Sequence, residues 1–432
     1  MRSNSQPTGG VTALQGAQPT GSLTPQQIQD LLSAITPTIQ KFRAQSSPVS
    51  AEIDSMSLGF GASETIRLAT AGLGVRLRSQ HTVNLVVSNS ATSAQVVNFS
   101  PYFPFNFVSN TNIQLNAQTT TYSASGPAGL FVALRTRKGA LLMTGNNGLN
   151  AALVSVVPGS GITLTTATSP TLSGYASMSV AASTTNAVLT VTFFTFEKLA
   201  KDRTSLLGAL ALQNNSVYAT LTRTVVGSPV GANAQSPMYV TGGAPSTLTV
   251  ALGTNGYQVK TMYDFWNIPS DATLYQDMVT NSYQVQEQKG LSVTGTGSAA
   301  LTYNLPINQF ITALHTLCYD GNGNPAAVGW YSTAYVKYNA GGVTPVILPQ
   351  QMTRAAQFLD YDGDLGGFPG YSLYDGNDTS SSLIDADSAG WIDTYYAANP
   401  QYIFDIASGL AVPASVSITR ESVVQNVQQT MA

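Results

Sequence analysis

Charge is what this sequence has least of. Only 9% of its 432 residues are Asp, Glu, Lys or Arg, against about 25% in an ordinary soluble domain. The formal net charge is −3 and there is no run of like charges. That excludes a basic arm for packaging nucleic acid and an acidic tail, so no direct nucleic-acid binding is expected. Cysteine is equally scarce. Cys318 stands alone, which excludes an intrachain disulfide and a cysteine-based metal cage and leaves a buried small hydrophobe as its reading. The two histidines, His81 and His315, are too few for a zinc site. Three residues apart on one element, His315 and Cys318 rarely reach the geometry of a base and its nucleophile, so both histidines read as structural. No stretch approaches the roughly 18 apolar residues of a membrane-spanning helix. Met1 to Gly10 has no apolar core of a secretory signal, and the chain is expected to be made in the cytoplasm of its host cell. Phosphate-binding glycine loops and dinucleotide fingerprints are also missing, which excludes nucleotide chemistry.

What is present is uncharged. Hydrophobic residues make up 43% of the chain, enough for one or two substantial cores, and the length suits two domains of about 150–200 residues. Ser, Thr, Asn, Gln, Gly and Ala fill the place of charge. Such a surface repels its neighbours weakly and suits a protein packed against copies of itself. A secreted fibre or adhesin shares that composition.

Residues 1–23 read as an extended polar arm. Thr24, Pro25 and Gln27 form a helix start, and Ile28, Leu31, Leu32, Ile35 and Ile39 fall on one helical face. Pro37 is expected to end or kink that helix near Thr36. Too short to stand alone, its apolar stripe must dock on its own domain, a neighbouring subunit or an apolar layer. Strand patterns follow. Val75, Leu77, Val83, Leu85 and Val87 alternate with polar residues, as do Leu189, Val191 and Phe193, and Val217, Ala219 and Leu221. Asn255-Gly256, between Leu248–Leu252 and Tyr257–Val259, predicts a hairpin. Asn147-Gly148, Asp320-Gly321 and Asn322-Gly323 mark further turns.

One order of elements occurs twice. Asp202 caps a predicted helix Arg203–Leu212, Asn214-Asn215 breaks it, and strands follow over Val217–Val225 and 247–265. Downstream, Asp387 caps a predicted helix containing Trp391, Ile392, Tyr395 and Tyr396. Asn399-Pro400 breaks that one, and strands follow over Tyr402–Ile406 and Val416–Val424. An internally duplicated β-sandwich produces this arrangement.

Acidic residues concentrate late in the chain, at Asp360, Asp362, Asp364, Asp375, Asp378, Asp385, Asp387, Asp393 and Asp405. Asp360, Asp362 and Asp364 resemble the start of a calcium loop and are a candidate weak Ca²⁺ set. Leu365 and Tyr371 replace the glycine and glutamate that an EF-hand needs. The other reading is a solvated loop with Asp caps and turns at Asp362-Gly363 and Asp375-Gly376. Trp330, Tyr331 and Trp391 are candidates for stacking on sugars, yet nothing fixes a catalytic carboxylate pair. Arg76/Arg78 and Arg135/Arg137/Lys138 can touch phosphates, but on strand faces they are expected to pair locally. No enzyme activity and no cofactor are expected.

Three segments carry a resemblance. Leu189–Leu210, with its apolar strand, Asp202 and a Leu/Gly/Ala-rich run, is similar to the first-roll segment of tectivirus-type major capsid proteins, the adenovirus hexon-type lineage. The Leu-Thr-Pro-Gln-Gln stretch from Leu23 resembles that family's N-terminal arm, and Phe310–Gly323 resembles a second-roll strand reaching its turn. The resemblance implies an all-β fold of two tandem eight-stranded jelly rolls, a double jelly roll, with an N-terminal amphipathic helix. Residues 1–48 would form the arm and helix, 49–266 the first roll and 267–432 the second. It implies homotrimers that tile an icosahedral virion shell with neighbouring trimers and with penton or minor capsid proteins. Beneath the shell it implies an internal membrane around double-stranded DNA. Ile28, Leu31, Leu32, Ile35 and Ile39 would make the basal contact with neighbours or membrane, and 226–246 and 339–386 would be candidate outer loops or tower elements. The competing reading is a phage fibre, spike or lectin-like β-sandwich binding module.

Overall fold

The computed structural model describes residues 38–68, 71–135, 149, 152–201, 206–212, 218–279, 281–338, 346–361, 368–376, 391–395 and 397–425. Strands dominate because the alternation seen in the sequence is real burial. Along Leu73–Asn89, the odd positions from Leu73 to Asn89 are buried and the even positions from Arg76 onward face outward.

Eight strands of the first half form two sheets. Pro48–Leu58, Leu248–Trp266, Leu73–Asn89 and Thr184–Lys198 are neighbours in one. Ser63–Arg67, Ala219–Val225, Val108–Leu115 and Thr119–Ala124 are neighbours in the other. By position in the chain the orders are first–eighth–third–sixth and second–seventh–fourth–fifth, the Greek-key wiring of a jelly roll. The second half repeats it. Asn281–Val293, Ala414–Gln425, Phe310–Tyr319 and Tyr371–Asp375 make one sheet, and Gly297–Asn304, Gln401–Ile406, Tyr331–Lys337 and Val346–Pro349 the other, in the same two orders. The fold is therefore a double jelly roll. In each roll the fifth strand runs into a helix, Gly126–Arg135 in the first and Gln350–Tyr361 in the second.

Connections of the first roll build an extra sheet at one end. Gln95–Phe99 comes from the link between the third and fourth strands, Ile162–Thr166 and Tyr175–Val180 from that between the fifth and sixth. Val230–Gly231 and Met238–Tyr239 come from that between the seventh and eighth. The segment 226–246 thus contributes edge strands to this added layer. The segment 339–386 is not one long loop, because it carries the fifth strand, the helix and the sixth strand of the second roll.

Other expectations need correction. Asn255 and Gly256 do take positive φ, 66° and 38°, but no hairpin forms and Leu248–Trp266 runs through them as one strand. Leu252 faces Leu85 while Tyr257 faces Val83, so the residues between them bulge out opposite Asn84. The 17-residue partner Leu73–Asn89 is long enough to pair both arms in one direction, and tertiary pairing overrides the local turn signal. The predicted helix Arg203–Leu212 is not found over its described part. Leu206 and Gly208 have φ of 56° and 72°, and Leu210–Ala211 is a two-residue strand on Leu73–Asn89. Nor is there a helix at Trp391–Tyr395, where Ile392–Asp393 is a two-residue strand on Phe310–Tyr319. The duplication is nonetheless genuine, since both short strands follow the sixth strand of their roll and pair with its third. Of the N-terminal helix, 1–37 lies outside the described residues. Thr38–Gln45 is helical, and its Phe42 packs with Leu274, Tyr275 and Met278 between the rolls' strand sets. Asn147-Gly148 also lies outside, whereas Asp320 does make the expected turn, its carboxylate accepting from the Asn322 and Asn324 amides.

Gly208 stitches the halves together, its amide donating to Met278 O and its carbonyl accepting from the Tyr283 amide. A Cβ there would lie 2.4 Å from the Tyr283 nitrogen. Strained positive φ costs a non-glycine residue about 1–3 kcal/mol. Gly208→Ala is therefore expected to lower stability in urea denaturation by ~3 kcal/mol, clash included. Gly242→Ala, at φ 85° with nothing within 4 Å, should lose only about 1 kcal/mol.

Candidate functional site: the polar seam between the rolls

The sheet holding Phe310–Tyr319 is buried on both faces, and eight consecutive residues from Ile311 to Cys318 are buried. Ile311, Leu314, Cys318, Val416 and Ile418 point into the second roll's own core. The other face, with Val285, Ala313, Leu317, Leu373 and Val423, joins the first roll's core. The helix Gly126–Arg135 packs there, with nine of its ten residues buried. Phe131 stacks on Tyr371 at 4.0 Å between ring centroids, and the Tyr102 hydroxyl donates to Pro369 O at 2.6 Å. The sheets are also joined edge to edge. Thr119–Ala124 pairs in parallel with Asn281–Val293 through Tyr122 and Val285, and Ser123 and Gln286.

At the middle of this seam sits Glu421, fully buried. Arg135, the last residue of its helix, grips it through Nε at 2.6 Å and Nη2 at 3.0 Å. Its Nη1 reaches Asp375 at 2.7 Å. Lys198, ending the first roll's sixth strand, donates to Glu421 at 2.9 Å, and so does the Tyr283 hydroxyl. His315 Nε2 lies 2.8 Å from the same carboxylate and its Nδ1 2.9 Å from the Tyr371 hydroxyl. A carboxylate only accepts, so the ring proton is on Nε2 and Nδ1 accepts from Tyr371. Burial opposes the Glu421 charge, but the Arg135 and Lys198 charges and the His315 bond outweigh it and hold the carboxyl well below its usual range. Burial lowers the His315 pKa, with Arg135 adding to the effect and Glu421 opposing it. Arg135 and Lys198 belong to the first roll and Glu421, Asp375 and His315 to the second, so the charges balance only when the rolls are together.

A second polar cluster lies inside the first roll. Arg223 is 1% exposed and meets Glu197 at 3.1 Å, Ser79 at 2.5 Å and His81 Nε2 at 2.8 Å. Arginine only donates, so Nε2 accepts and His81 Nδ1–H points to the Tyr257 hydroxyl, 3.0 Å away. Burial and then Arg223 push the His81 pKa well down. Both histidines are neutral, in opposite tautomers, each on the third strand of its roll.

The residues singled out by sequence scatter differently. Asp360 falls in the last turn of Gln350–Tyr361, while Asp362, Asp364 and Gly363 lie outside the described residues, as do Asp378, Asp385 and Asp387. Asp375 is no solvated loop residue, since its side chain is 8% exposed and paired with Arg135. Asp393 and Asp405 accept from the Tyr395 and Ala299 amides. Among the described residues no group of three or more His, Cys, Asp or Glu is placed to hold a metal ion. Ile28, Leu31, Leu32 and Ile35 lie outside the described residues, and Ile39 falls within the helix Thr38–Gln45. Arg76 and Arg78 pair locally, both with Asp264, at 2.6 and 2.7 Å. Arg137 and Lys138 lie outside the described residues. Trp330 and Tyr331 are buried and offer no platform to a sugar, and Trp391 carries Lys201 at 4.4 Å from its ring. Cys318 is buried, its thiol pushed up to about 12 by burial and then by Asp320. Its sulfur sits in the second roll's core, while His315 faces the seam.

Glu421, Lys198, Tyr283, Glu197 and Arg223 were missed as site residues. Two had a readable signal. Glu197 continues the inward alternation Leu189, Val191, Phe193, Thr195, and Arg223 stands in the inward row Ala219, Leu221, Val225. In a chain so poor in charge, a charge in an apolar row marks a buried pair.

No protein-family model and no curated protein matches the chain. Solved structures do. The major capsid protein of STIV superimposes with a TM-score of 0.56 and 14% identity, over 89% of this chain and 99% of that one. A chain from the atomic structure of Sulfolobus turreted icosahedral virus gives 0.54 and 14%, over 88% and 91%.

Removing one partner of a buried pair costs about 3–5 kcal/mol. Glu421→Gln should therefore lose that much in chemical denaturation, while Asp264→Asn, on the wetter outer face, should lose ~1 kcal/mol or less. Stability should also depend on pH. The folded pKa values of His81 and His315 lie below the 6.5 of the free side chain and that of Glu421 below 4.5. The unfolded chain thus binds protons first. Their stabilisation is complete above about 6.5 and is lost as pH falls, first through the histidines and then through the carboxylate. Thermal melts from pH 8 to 4 should show Tm falling below about 6.5, with a shallower fall in His315→Gln.

The strand order, the seam and the superposition over most of the chain give one conclusion: this chain has the double jelly-roll fold found in viral major capsid proteins.

Proposed function

We propose that this chain is the major capsid protein of an icosahedral virus, a structural protein and not an enzyme. The observation that carries the reading is the complete tandem repeat, two rolls of identical wiring fused through a buried seam, with the same fold as capsid chains over nearly their whole length. The sparse charge supports it, because weakly hydrated neutral surfaces lose little on packing against siblings. In this reading three chains form a homotrimer, trimers tile the shell with minor or penton proteins, and the site of action is the virion. The N-terminal arm and helix, with the apolar stripe Ile28, Leu31, Leu32, Ile35 and Ile39, contact neighbours or an internal membrane at the base of the shell. Calcium has no part in the proposal. The sugar-binding alternative is weakened by the burial of Trp330 and Tyr331.

Light scattering and mass photometry should find a stable trimer that enters larger closed particles. A monomer at micromolar concentration that binds glycans on an array would contradict the proposal. Deleting residues 1–37 should leave a folded trimer that no longer builds shells of normal size, as seen by electron microscopy.

A further inference from the structure

One face of the strand Ala414–Gln425 lines the interior of the second roll. Val416 and Ile418 stand on it, and Arg420 and Ser422 continue the same row. Glu421, between them, faces the seam. Arg420 therefore enters the second roll at the end of an apolar row, half-buried, with Ser422 fully buried next to it on that face.

The partners of this guanidinium are unusual for the chain. Arg76 and Arg78 meet Asp264, Arg135 and Lys198 meet Glu421, and Arg223 meets Glu197. Among the described residues Arg420 meets no carboxylate. Its Nε donates to Gln309 Oε1 at 3.1 Å, its Nη1 to the Tyr303 hydroxyl at 3.4 Å and its Nη2 to Gln286 Oε1. All three acceptors are neutral. Gln286 is itself held, donating to Thr120 O at 3.2 Å and to Gln284 Oε1 at 3.3 Å, so the fork is fixed before any anion arrives. A guanidinium carries five N–H donors, and three are used here, which leaves two to give. Ser422 supplies an independent sign. It is 0% exposed and its hydroxyl has no partner, a costly state for a buried polar group. The Tyr303 hydroxyl accepts from Arg420 and keeps its own proton to donate.

We propose that Arg420, Ser422 and Tyr303 hold one small oxyanion of the phosphate class at this end of the second roll. The groups left over are donors around a cation without a counter-charge, and the planar fork of arginine matches an oxyanion's paired oxygens. One guanidinium suits one ion, whereas a nucleic acid strand needs a series of cations. Gln309 and Tyr303, 6% and 3% exposed, close the guanidinium in, which admits a free ion and leaves no room for a lipid headgroup. The site lies inside one roll and does not depend on how copies of the chain assemble.

The test titrates inorganic phosphate into the full chain by calorimetry, with chloride keeping the ionic strength constant, and follows thermal melts in parallel. The parent should bind one phosphate per chain and melt at a higher temperature as phosphate rises. Arg420→Gln should lose both responses. Because that change also removes three hydrogen bonds, Ser422→Ala gives a separate reading. Without phosphate its Tm should equal or exceed the parent's, since only an unpartnered hydroxyl is lost, and its phosphate affinity should fall about tenfold. Arg67→Gln, at an exposed guanidinium elsewhere, should bind as the parent does. A parent that gives neither heat nor a Tm rise, or undiminished affinity in Ser422→Ala or Arg420→Gln, would overturn the site. Vesicles containing phosphatidic acid should treat the parent and Arg420→Gln alike. Flotation of the parent that Arg420→Gln loses would overturn the assignment to a free ion.

Discussion

A sheet with no wet face sets the terms for everything else in this molecule. The strands Phe310–Tyr319 and Ala414–Gln425 serve two cores at once, closing the second roll on one side and receiving the first roll's helix on the other. A carboxylate in such a place is unaffordable alone, since burying an unpaired charge costs several kcal/mol or more. Glu421 is tolerated because Arg135 and Lys198 come to it from the other roll. The rolls therefore cannot part without stranding the Glu421 and Asp375 anions on one side and the Arg135 and Lys198 cations on the other.

The same logic accounts for the histidines. Each sits on the third strand of its roll where an ordinary chain would carry a hydrophobe, each has its pKa lowered chiefly by burial, and each has its tautomer set by a partner of fixed polarity. Arg223 can only donate to His81, and Glu421 can only accept from His315. Tyrosines complete both networks, Tyr257 in the first and Tyr371 in the second. With so few charged residues in the chain, spending several of them in these two buried clusters leaves the outer surfaces more neutral still. That distribution suits a protein whose flanks meet other protein.

Much of this architecture was legible in the sequence. Alternation along Val75–Val87 and Leu189–Phe193 marked true strands, as did that predicted over Val217–Val225, found at Ala219–Val225 with Val217 outside the described residues, because half-buried strands reveal themselves by period. The duplication was also visible, at the right places. Its elements were misread: the apolar runs at Leu206–Leu210 and Trp391–Tyr395 have helical spacing, yet they add short strands to one end of the interior third strand of each roll. Gly208 is held by Tyr283 and Met278, contacts that no local pattern announces. The Asn255-Gly256 signal failed for a related reason, since a long partner strand can absorb a turn sequence as a bulge. The seam was the least legible part. Arg135 and Asp375 were noticed for their charge, but Glu421 lies 286 residues from Arg135, and only the folded chain brings them together. Doubly buried strands such as Phe310–Tyr319 also lose the alternation that would have shown which face meets a partner.

Hydrogen exchange followed by mass spectrometry tests the claim that the seam makes one unit of the two rolls. Amides in Ile311–Leu317, Ser417–Val423 and the helix Gly126–Arg135 should be the slowest in the chain and should open together under mild denaturant. If the second roll's strands exchanged while the Gly126–Arg135 helix stayed protected, the rolls would be independent domains and the seam would not bind them.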